Sequence, residues 1–268
     1  MTFLRTEICN GCKRDVEVYE IEIIGGKHKG ELKEWKKGCV CEDIKLANQT
    51  LEHRNRLVRS KMQEIFNNNS LINKDLEKAT FDNYNPKNKS QTYAKRTAER
   101  YVEVFNLDEP INLSFHGSFG IGKSHLAKAI CDGVMEKEVT EKERKRGKHG
   151  YNAIFISVPK LLRKIKSTFH KDSEVDTDKI ITMLENVDLL ILDDLGAENS
   201  TNWVTEILFD IIDSRLGKNT IYTTNYTPTD LVNKLGERNF SRVINQDTNV
   251  IEIEGENHRL SKFMKGGN

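Results

Sequence analysis

The most specific chemical signal in this sequence is a phosphate-binding loop. Residues 117–124 read GSFGIGKS and fit the pattern G-x-x-x-x-G-K-[ST] at every position. Glycines let backbone amides wrap closely around phosphate oxygens, and a following helix presents unpaired N–H groups to negative charge. In this pattern Lys123 reaches the β- and γ-phosphates, and the hydroxyl of Ser124 binds Mg²⁺. We therefore expect ATP and Mg²⁺ to bind at Gly117, Ser118, Phe119, Gly120, Ile121, Gly122, Lys123, Ser124 and His125.

Two carboxylates follow a short apolar segment later in the chain. Residues 189–192 are LLIL, and Asp193 and Asp194 come directly after them. A buried strand brings its last residues to the edge of a sheet, where Asp193 can hold Mg²⁺ beside Ser124 through water. Asp194 would then polarise the attacking water. Asp is shorter than the Glu more common there, so we expect slow hydrolysis, and a nucleotide switch stays open as an alternative. Taken alone, this segment is equally a strand that ends in a polar turn.

A third polar position follows the next apolar strand. Residues 219–225 read NTIYTTN, which places Thr224 and Asn225 at the tip of that strand. A polar side chain on the strand beside the phosphate-loop strand can hydrogen-bond the γ-phosphate or its water. Asn is also a frequent turn residue before a segment such as Tyr226-Thr227-Pro228. We predict the γ-phosphate role for Asn225.

The elements that position these residues alternate between helix and strand. Helices are predicted at 91–105, 123–139, 159–169, 203–216 and 229–236, and strands at 111–117, 152–158, 187–196 and 219–225. Such alternation predicts an α/β fold in which helices flank a parallel sheet. The charged segment 136–150 is interpreted as a solvated helix end and loop. Cys131, on the helix after the phosphate loop, is interpreted as a small buried core residue.

Four of the five cysteines lie within the first 41 residues: Cys9, Cys12, Cys39 and Cys41. Residues 15–26 between the two pairs alternate like a strand and end at two glycines. Four thiolates can surround one structural Zn²⁺, although C-x-C is a tighter spacing than the familiar C-x₂-C. Free thiols or a redox pair are the other interpretations, and His28 could replace one thiolate. A module of about 40 residues has a small core, so zinc would supply much of its folding energy.

Composition limits the classes of protein to which the chain can belong. It has 268 residues, 42 Lys+Arg against 41 Asp+Glu, and a formal net charge of +1, so overall charge argues neither for nor against a polyanionic partner. No apolar run approaches the roughly 18–20 residues that span a bilayer. The first residues lack the apolar core of a signal peptide. We expect a cytoplasmic protein with no membrane contact.

A basic stripe follows the second predicted strand. It lies on the helix predicted at 159–169, with Leu161, Leu162 and Ile165 on the inner face, and consists of Lys160, Arg163, Lys164 and Lys166. Such a stripe can follow a phosphate backbone, with an affinity that falls steeply with salt. It is also the ordinary appearance of a solvated helix face. Apart from Phe169 there is no evident aromatic group for base stacking, so sequence preference should be weak.

The order of these motifs resembles a known family. GSFGIGKSH, LLILDDLGAE, TIYTTNYTP and LGERNFSRVIN are similar to the AAA+ ATPases of the DnaC/DnaI bacterial helicase-loader family, and the related IstB-like transposition helper ATPases share the pattern. The N-terminal cysteines and the ATFDNY segment resemble the DnaI type in particular. The resemblance covers nearly the whole chain.

The resemblance implies further roles at matching positions. Arg242 matches the arginine finger, which reaches the ATP of a neighbouring subunit, and Arg238, four residues earlier, is the second candidate. Arg259 matches an arginine that approaches the nucleotide of its own chain; otherwise it is a charged tail residue. Nine residues follow Arg259, so we expect no helical C-terminal lid. The basic stripe would contact single-stranded DNA.

The resemblance also implies an organisation and a function. Residues 1–42 would form a zinc-binding β module that grips a replicative DnaB-type hexameric helicase. Residues 43–89 would form a charged connector helix and a linker, and residues 90–268 the AAA+ ATPase domain. We expect a helicase loader that self-associates through the ATP site and delivers the helicase to single-stranded DNA during replication initiation. The alternatives are an IstB-like transposition helper and a nucleotide-switched adaptor that blocks a helicase with little turnover; a P-loop kinase fits less well.

Overall fold

The computed structural model describes residues 1–46, 49–50, 74–148, 150–169 and 176–258. The chain divides into two compact units, Met1–Ser60 and Lys61–Asn268. Most of the predicted connector helix and the whole C-terminal tail, including Arg259, lie outside the described residues.

The first unit contains a three-stranded antiparallel sheet. Its strands are β1 (Thr2–Ile8), β2 (Asp15–Glu22) and β3 (Leu32–Lys37), in the order β1-β2-β3. Val16 and Val18 on β2 are buried, which confirms the strand predicted between the two cysteine pairs. The sequence did not predict β1 and β3, since both carry mostly exposed polar side chains. Residues 41–46 and 49–50 are helical.

A parallel sheet forms the centre of the second unit, as predicted, and it has five strands. Its order is β5-β6-β7-β4-β8. The strands are β4 (Asn112–His116), β5 (Ala153–Ser157), β6 (Leu189–Asp193), β7 (Thr220–Thr224) and β8 (Thr248–Glu252). Strand β4, which leads into the phosphate loop, therefore lies between β7 and β8. The edge strand β8 was not predicted, because three of its five side chains are exposed and its apolar pattern is weak.

Helices cover both faces of this sheet. They are α1 (Lys89–Val104), α2 (Lys123–Glu136), α3 (Glu141–Lys145), α4 (Val158–Ser167), α5 (Thr177–Asn186), α6 (Asn202–Asp213), α7 (Pro228–Leu235) and α8 (Glu237–Val243). Side-chain caps from Asn88, Asp176, Thr201 and Thr227 start four of them by accepting hydrogen bonds from first-turn amides. Among the described residues, none of these helices has the length and apolar character that crossing a bilayer requires.

Successive residues of each strand point to opposite faces and build two hydrophobic cores. On β6, Leu189 and Ile191 pack with α1 and α2, whereas Leu190 and Leu192 pack with α4 to α8. This alternation follows from the two-residue repeat of a strand. Cys131 is buried in the first core, as predicted. Both faces of the sheet are therefore largely apolar, although Ser114 in the middle of β4 is a buried polar residue.

A segment that the sequence assigned to a linker packs into the first core instead. Leu76, in a 3₁₀ helix at Lys74–Leu76, is buried together with Ala79 and Tyr84. Thr80 and Asn83 exchange hydrogen bonds: the Thr80 amide donates to Asn83 Oδ1 at 2.9 Å, and the Asn83 amide donates to Thr80 Oγ1 at 3.3 Å. This compact turn fixes the path of the chain before α1.

The segment interpreted as a solvated loop contains a short capped helix. Thr140 and Glu143 form a reciprocal capping box at the start of α3. Glu143 is buried and also accepts a hydrogen bond from the hydroxyl of Tyr151 at 2.5 Å. The many charged residues around Glu143 conceal this buried carboxylate in the sequence.

Candidate functional site

The phosphate loop occupies residues 117–122, between the end of β4 and the start of α2. Gly122 caps α2 without a side chain, so the first-turn amides of this helix stay available to an anion. Gly120 has φ +71° and Gly122 has φ +102°, a region that side chains disfavour. A Cβ at Gly122 would also stand 2.5 Å from Cε2 of Tyr84. Both glycines are thus required by conformation and by close packing.

The loop borders a cavity of about 420 Å³. The predicted residues that line it are Phe119, Gly120, Gly122, Lys123, Ser124, His125, Asp194 and Asn225. Phe119 is 64% exposed, whereas the side chain of Ile121 is buried in the core and leaves only its backbone to the loop. Residues distant in sequence therefore meet at one end of the sheet, as expected for a ligand site in a parallel α/β fold.

Lys123 lies at the centre of this arrangement and is 5% exposed. Its Nζ donates to the carbonyl oxygens of Gly117 and Ser118 at 2.8 and 2.6 Å. It also donates to Oδ1 of Asn225 at 2.8 Å. The tip of β7 thus reaches the lysine that the loop pattern assigns to phosphate. Thr224 is not part of this arrangement, since its hydroxyl donates to the carbonyl of Leu195 at 2.8 Å.

Asp193 ends β6 and is 2% exposed. Its Oδ1 accepts a hydrogen bond from Thr223 at 2.6 Å. Burial is the main cause that raises the pKa of Asp193 to about 6, and the charge of Asp194 adds to the shift. Hydrogen bonds from Thr223 and Ser124 oppose it. A buried carboxylate beside a serine hydroxyl offers the oxygen ligands that Mg²⁺ prefers. The residues present therefore fit Mg²⁺ held by Ser124 and Asp193.

Asp194 turns away from the strand direction and faces the cavity. Its φ is +58°, and its amide donates to Thr223 Oγ1 at 3.0 Å. Nδ2 of Asn225 donates to Oδ1 of Asp194 at 3.4 Å. A strained backbone that aims a carboxylate into a cavity is common at functional sites. Asp194 and Asn225 together can hold a polar group at this end of the sheet.

A wall of the cavity comes from residues that the sequence did not assign to the site. They are Asp75, Leu76, Asn83, Tyr84, Asn85, Lys87 and His258. Nε2 of His125 lies 2.8 Å from the carbonyl oxygen of Thr80, and its ring packs edge to face on Tyr84. The ATFDNY segment was noticed only as part of the family resemblance. Its polar-aromatic mixture has no helical or strand repeat that would place it beside the loop.

Residues 253–258 continue from β8 and cross the phosphate loop. The amide of Ile253 donates to the carbonyl of His116 at 2.8 Å, and the amide of His258 donates to the carbonyl of Gly120 at 3.0 Å. A Cβ at Gly120 would stand 2.0 Å from Oδ1 of Asn257. We call these residues the C-terminal crossing segment. The next residue, Arg259, lies outside the described residues, so its predicted role stays a prediction.

The two arginines assigned to assembly lie outside the lining of the cavity, on α8. Nε of Arg242 donates to Oδ1 of Asp213 at 2.6 Å, and one terminal nitrogen donates to the carbonyl of Arg238 at 2.9 Å. The guanidinium carbons of Arg238 and Arg242 lie 3.5 and 4.6 Å from the ring centre of Phe209. Neither arginine lines the cavity of its own chain. A residue that acts on the nucleotide of a neighbouring subunit needs this arrangement.

The predicted basic stripe lies on α4. Leu161, Leu162 and Ile165 are buried beneath it, so the helix presents one apolar and one basic face. Arg163 and Lys166 are exposed, and Lys160 and Lys164 are half-buried. His170 and Lys171, which follow the helix, lie outside the described residues.

The four N-terminal cysteines meet in the first unit. The sulfurs of Cys9, Cys12, Cys39 and Cys41 all lie within 4.8 Å of one another. Cys9 is 3.5 Å from Cys41 and 3.7 Å from Cys39, sulfur to sulfur. Thiolates around tetrahedral Zn²⁺, at about 2.3 Å from the metal, stand about 3.8 Å apart. The cluster therefore fits zinc.

Local backbone geometry favours the thiolate form of Cys9, whereas hydrogen bonds with Cys39 and Cys9 raise the pKa of Cys41. The amides of Cys12 and Gly11 donate to the sulfur of Cys9 and lower its pKa to about 6. A Cβ at Gly11 would lie 2.6 Å from the sulfur of Cys41, so the turn leaves room only for glycine. His28 lies outside the cluster, and its Nδ1 pairs with Glu31 at 3.1 Å. Four sulfurs are thus brought together without the histidine.

Comparison with known proteins places the chain in a family. The model of the IstB-like ATP binding proteins matches residues 44–265. The chain belongs to this family. Replicative helicase loader DnaC of Escherichia coli (strain K12) is 30% identical over 215 residues, which are 80% of this chain and 79% of that protein. Replicative helicase loader DnaI of Bacillus subtilis (strain 168) is 24% identical over 180 residues, 66% of this chain and 53% of that protein.

A solved structure agrees with this placement. The crystal structure of the DnaC helicase loader has 31% sequence identity and a TM-score of 0.55, and the match covers 68% of this chain and 99% of that one. This likeness confirms the predicted AAA+ fold and the resemblance to the DnaC/DnaI type. An ATP-binding family of this kind explains why the phosphate loop and the acidic residues at the end of β6 occur in one domain.

Proposed function

We propose that this chain is an ATP-dependent helicase loader, which binds a DnaB-type replicative helicase and delivers it to single-stranded DNA. The observation that carries the proposal is the meeting of Lys123, Asp193 and Asn225 beside a complete phosphate loop. The chain in which they meet is similar over 80% of its length to a protein named a replicative helicase loader.

In this proposal the bound nucleotide replaces hydrogen bonds that Lys123 makes within the chain. Nζ of Lys123 leaves the carbonyls of Gly117 and Ser118 for phosphate oxygens, and the first-turn amides of α2 bind the phosphate chain. Mg²⁺, held by Ser124 and Asp193, would neutralise the charge of the β- and γ-phosphates. Asp194 accepts a hydrogen bond from the attacking water and so polarises it. Asn225 orients that water. Because Asp194 is short, turnover is slow.

Arg242 would complete the site of a neighbouring subunit, where its cation neutralises charge that develops on the phosphoryl group. Its place on α8, outside the cavity of its own chain, supports this role. Self-association of the chain would then depend on bound ATP and would accelerate hydrolysis.

The remaining surfaces would bind the two macromolecular partners. Single-stranded DNA would lie along Lys160, Arg163, Lys164 and Lys166 on α4, with the affinity falling as salt rises. The zinc module, held by Cys9, Cys12, Cys39 and Cys41, would dock on the helicase. The compact cysteine cluster supports a preformed module of this kind.

The test is co-elution with a DnaB-type helicase by size-exclusion chromatography with light scattering, with and without MgATP. We expect a joint complex that the full-length Cys39→Ser variant fails to form, and DNA loading that Lys123→Ala abolishes. Lys145→Ala, on an exposed side chain of α3, is the matched control for loss of a lysine. Absence of a complex under every nucleotide condition would contradict the proposal and favour a transposition helper. A stable complex without turnover or DNA loading would favour an adaptor that blocks the helicase.

A further inference from the structure

The hydroxyl of Tyr84 is buried without a hydrogen-bond partner among the described residues. The residue is 6% exposed, yet it lines the cavity beside the phosphate loop. Buried hydroxyls in folded proteins almost always find a partner, because an unpaired one has lost its hydrogen bonds to water without replacement. An unpaired group in a ligand cavity therefore points to a partner that the ligand supplies.

Tyr84 lies against the part of the loop that carries the phosphate-binding amides. A Cβ on Gly122 would stand 3.2 Å from the Tyr84 hydroxyl oxygen and 2.5 Å from Cε2. Gly122 directly precedes Lys123 and caps α2. The hydroxyl is thus close to the helix N-terminus where the phosphate chain of a nucleotide lies.

The segment that carries Tyr84 is held firmly before any nucleotide binds. The carbonyl of Thr80 lies 2.8 Å from Nε2 of His125, and Lys95 Nζ donates to the carbonyl of Tyr84 at 3.3 Å. Asn83 adds a hydrogen bond to the carbonyl of Lys78 at 2.6 Å. Because two side chains from outside the segment hold its backbone, the segment loses little entropy when a ligand binds.

We propose that the Tyr84 hydroxyl donates a hydrogen bond to a phosphate oxygen of the bound nucleoside triphosphate. The proposal rests on the proposed binding of ATP and adds a ligand from residues 79–84, outside the loop pattern. Burial raises the pKa of Tyr84 to about 12, so the group keeps its proton at neutral pH. A hydrogen bond from a neutral hydroxyl to a charged acceptor is stronger than one between neutral groups.

The test is nucleotide binding by calorimetry with Tyr84→Phe, which removes only the oxygen. We expect the affinities for ATP, 2′-deoxy-ATP and 3′-deoxy-ATP to fall by the same factor, about tenfold. The melting temperature without nucleotide should not fall, because the hydroxyl makes no bond within the described chain. Tyr101→Phe is the matched control: its buried hydroxyl donates to the carbonyl of Ile111 at 3.1 Å. That variant should lose melting temperature and keep its ATP affinity.

Three results would overturn the inference, each in a different way. Unchanged affinity of Tyr84→Phe for ATP would show that the hydroxyl is not a nucleotide ligand. A loss for ATP that disappears with one of the deoxy nucleotides would assign the bond to a sugar hydroxyl instead of phosphate. Failure of the unaltered protein to bind any of the three would overturn the proposed function itself.

Discussion

Arg242 on α8 is bound to Asp213 at the end of α6, with 2.6 Å between Nε and Oδ1. Phe209, one turn earlier on α6, lies beneath the same guanidinium group. The side chain proposed to act on a neighbouring nucleotide is therefore held by its own subunit at two nitrogens and one face. Such support orients a guanidinium group and lowers the entropy that it loses on binding a phosphate.

Replacing Arg242 should separate ATP binding from hydrolysis. Arg242→Ala should bind ATP normally but lose about 10³-fold in hydrolysis under assembling conditions, because the cation acts on the ATP of a neighbour. Asp213→Ala should cause a smaller loss through the same arginine, so the double variant should hydrolyse no more slowly than Arg242→Ala alone. Steady-state hydrolysis with calorimetric ATP affinities measures both effects.

The control for that series is Arg238→Ala, which removes the second cation over Phe209. We expect normal hydrolysis from it. Normal hydrolysis by Arg242→Ala in the assembled protein would refute the role of Arg242, and strong loss in Arg238→Ala would transfer the role to that residue.

Replacing Asp193 should stabilise the protein while it disables the proposed magnesium site. Its pKa is raised from 3.8 to about 6 in the folded chain, so ionised Asp193 disfavours folding by about 1.4 kcal/mol per pKa unit. The unfolded chain loses this proton first, so stability falls as pH rises from about 4 to about 6. Without Mg²⁺ at pH 7.5, Asp193→Asn should therefore melt at a higher temperature than the unaltered protein.

That advantage of Asp193→Asn should shrink as the pH falls to 4, where the carboxyl of the unaltered chain is protonated as well. Thermal unfolding at both pH values checks the sign. A variant that melts lower than the unaltered protein at pH 7.5 would mean that the Thr223 hydrogen bond outweighs the cost of burying the charge.

The same carboxylate should make magnesium-dependent affinity sensitive to pH. Protonation of Asp193 below about pH 6 removes a charged ligand, so the gain in ATP affinity on adding Mg²⁺ should decline there. Calorimetry between pH 5.5 and 8, with Mg²⁺ or with EDTA, measures this gain, and comparison with Asp193→Asn separates it from the titration of ATP itself. Asp193→Asn should show a small gain at every pH, and a steep pH dependence in that variant would exclude Asp193 as its source.

The cysteine cluster predicts a defined metal content. The protein should hold about one zinc per chain, and Cys39→Ser should lose it together with the fold of the first unit. Cys131→Ala is the matched control, since Cys131 is buried in the second unit outside the cluster. Elemental analysis and far-UV circular dichroism measure the two effects. Full zinc in Cys39→Ser would contradict a four-sulfur site.

The basic face of α4 should govern the salt dependence of DNA binding. Arg163→Gln combined with Lys166→Gln should weaken single-stranded DNA binding and lower the slope of log K against log salt by about 1 per cation. Lys142→Gln with Lys145→Gln on α3 removes two exposed lysines elsewhere and should leave the slope unchanged. An equal effect from both pairs would indicate attraction by overall charge.

Local patterns predicted which residues the structure brings together beside the phosphate loop. The strand, glycine loop and helix around Lys123 are contiguous in sequence, and each of Asp193 and Asn225 follows an apolar strand whose neighbours can be inferred. A parallel sheet gathers the ends of its strands at one edge, so the meeting of these three residues follows from the fold class.

The parts that the sequence did not predict depend on contacts between distant segments. Tyr84 reaches the loop because Ala79 and Leu76 are buried in the core, and no periodic pattern in the segment signals this. Strand β8 forms because it pairs with β4. Its own residues include few buried apolar groups, so the sequence does not predict it. Helix α5 does carry Ile180 and Leu184 one turn apart, a signal that a closer reading of periodicity could have used.

The C-terminal crossing segment has a consequence for biosynthesis. The amide of His258 donates a hydrogen bond to the carbonyl of Gly120. The ribosome adds His258 to the chain 138 residues after Gly120. The sheet strands β4 to β7 can assemble before that, since domains begin to fold as they emerge. The phosphate loop, however, reaches its final support only after residue 258 has left the exit tunnel. We therefore expect nascent chains that lack this segment to be compact but poor at retaining ATP, so a partly synthesised chain would not engage the nucleotide prematurely.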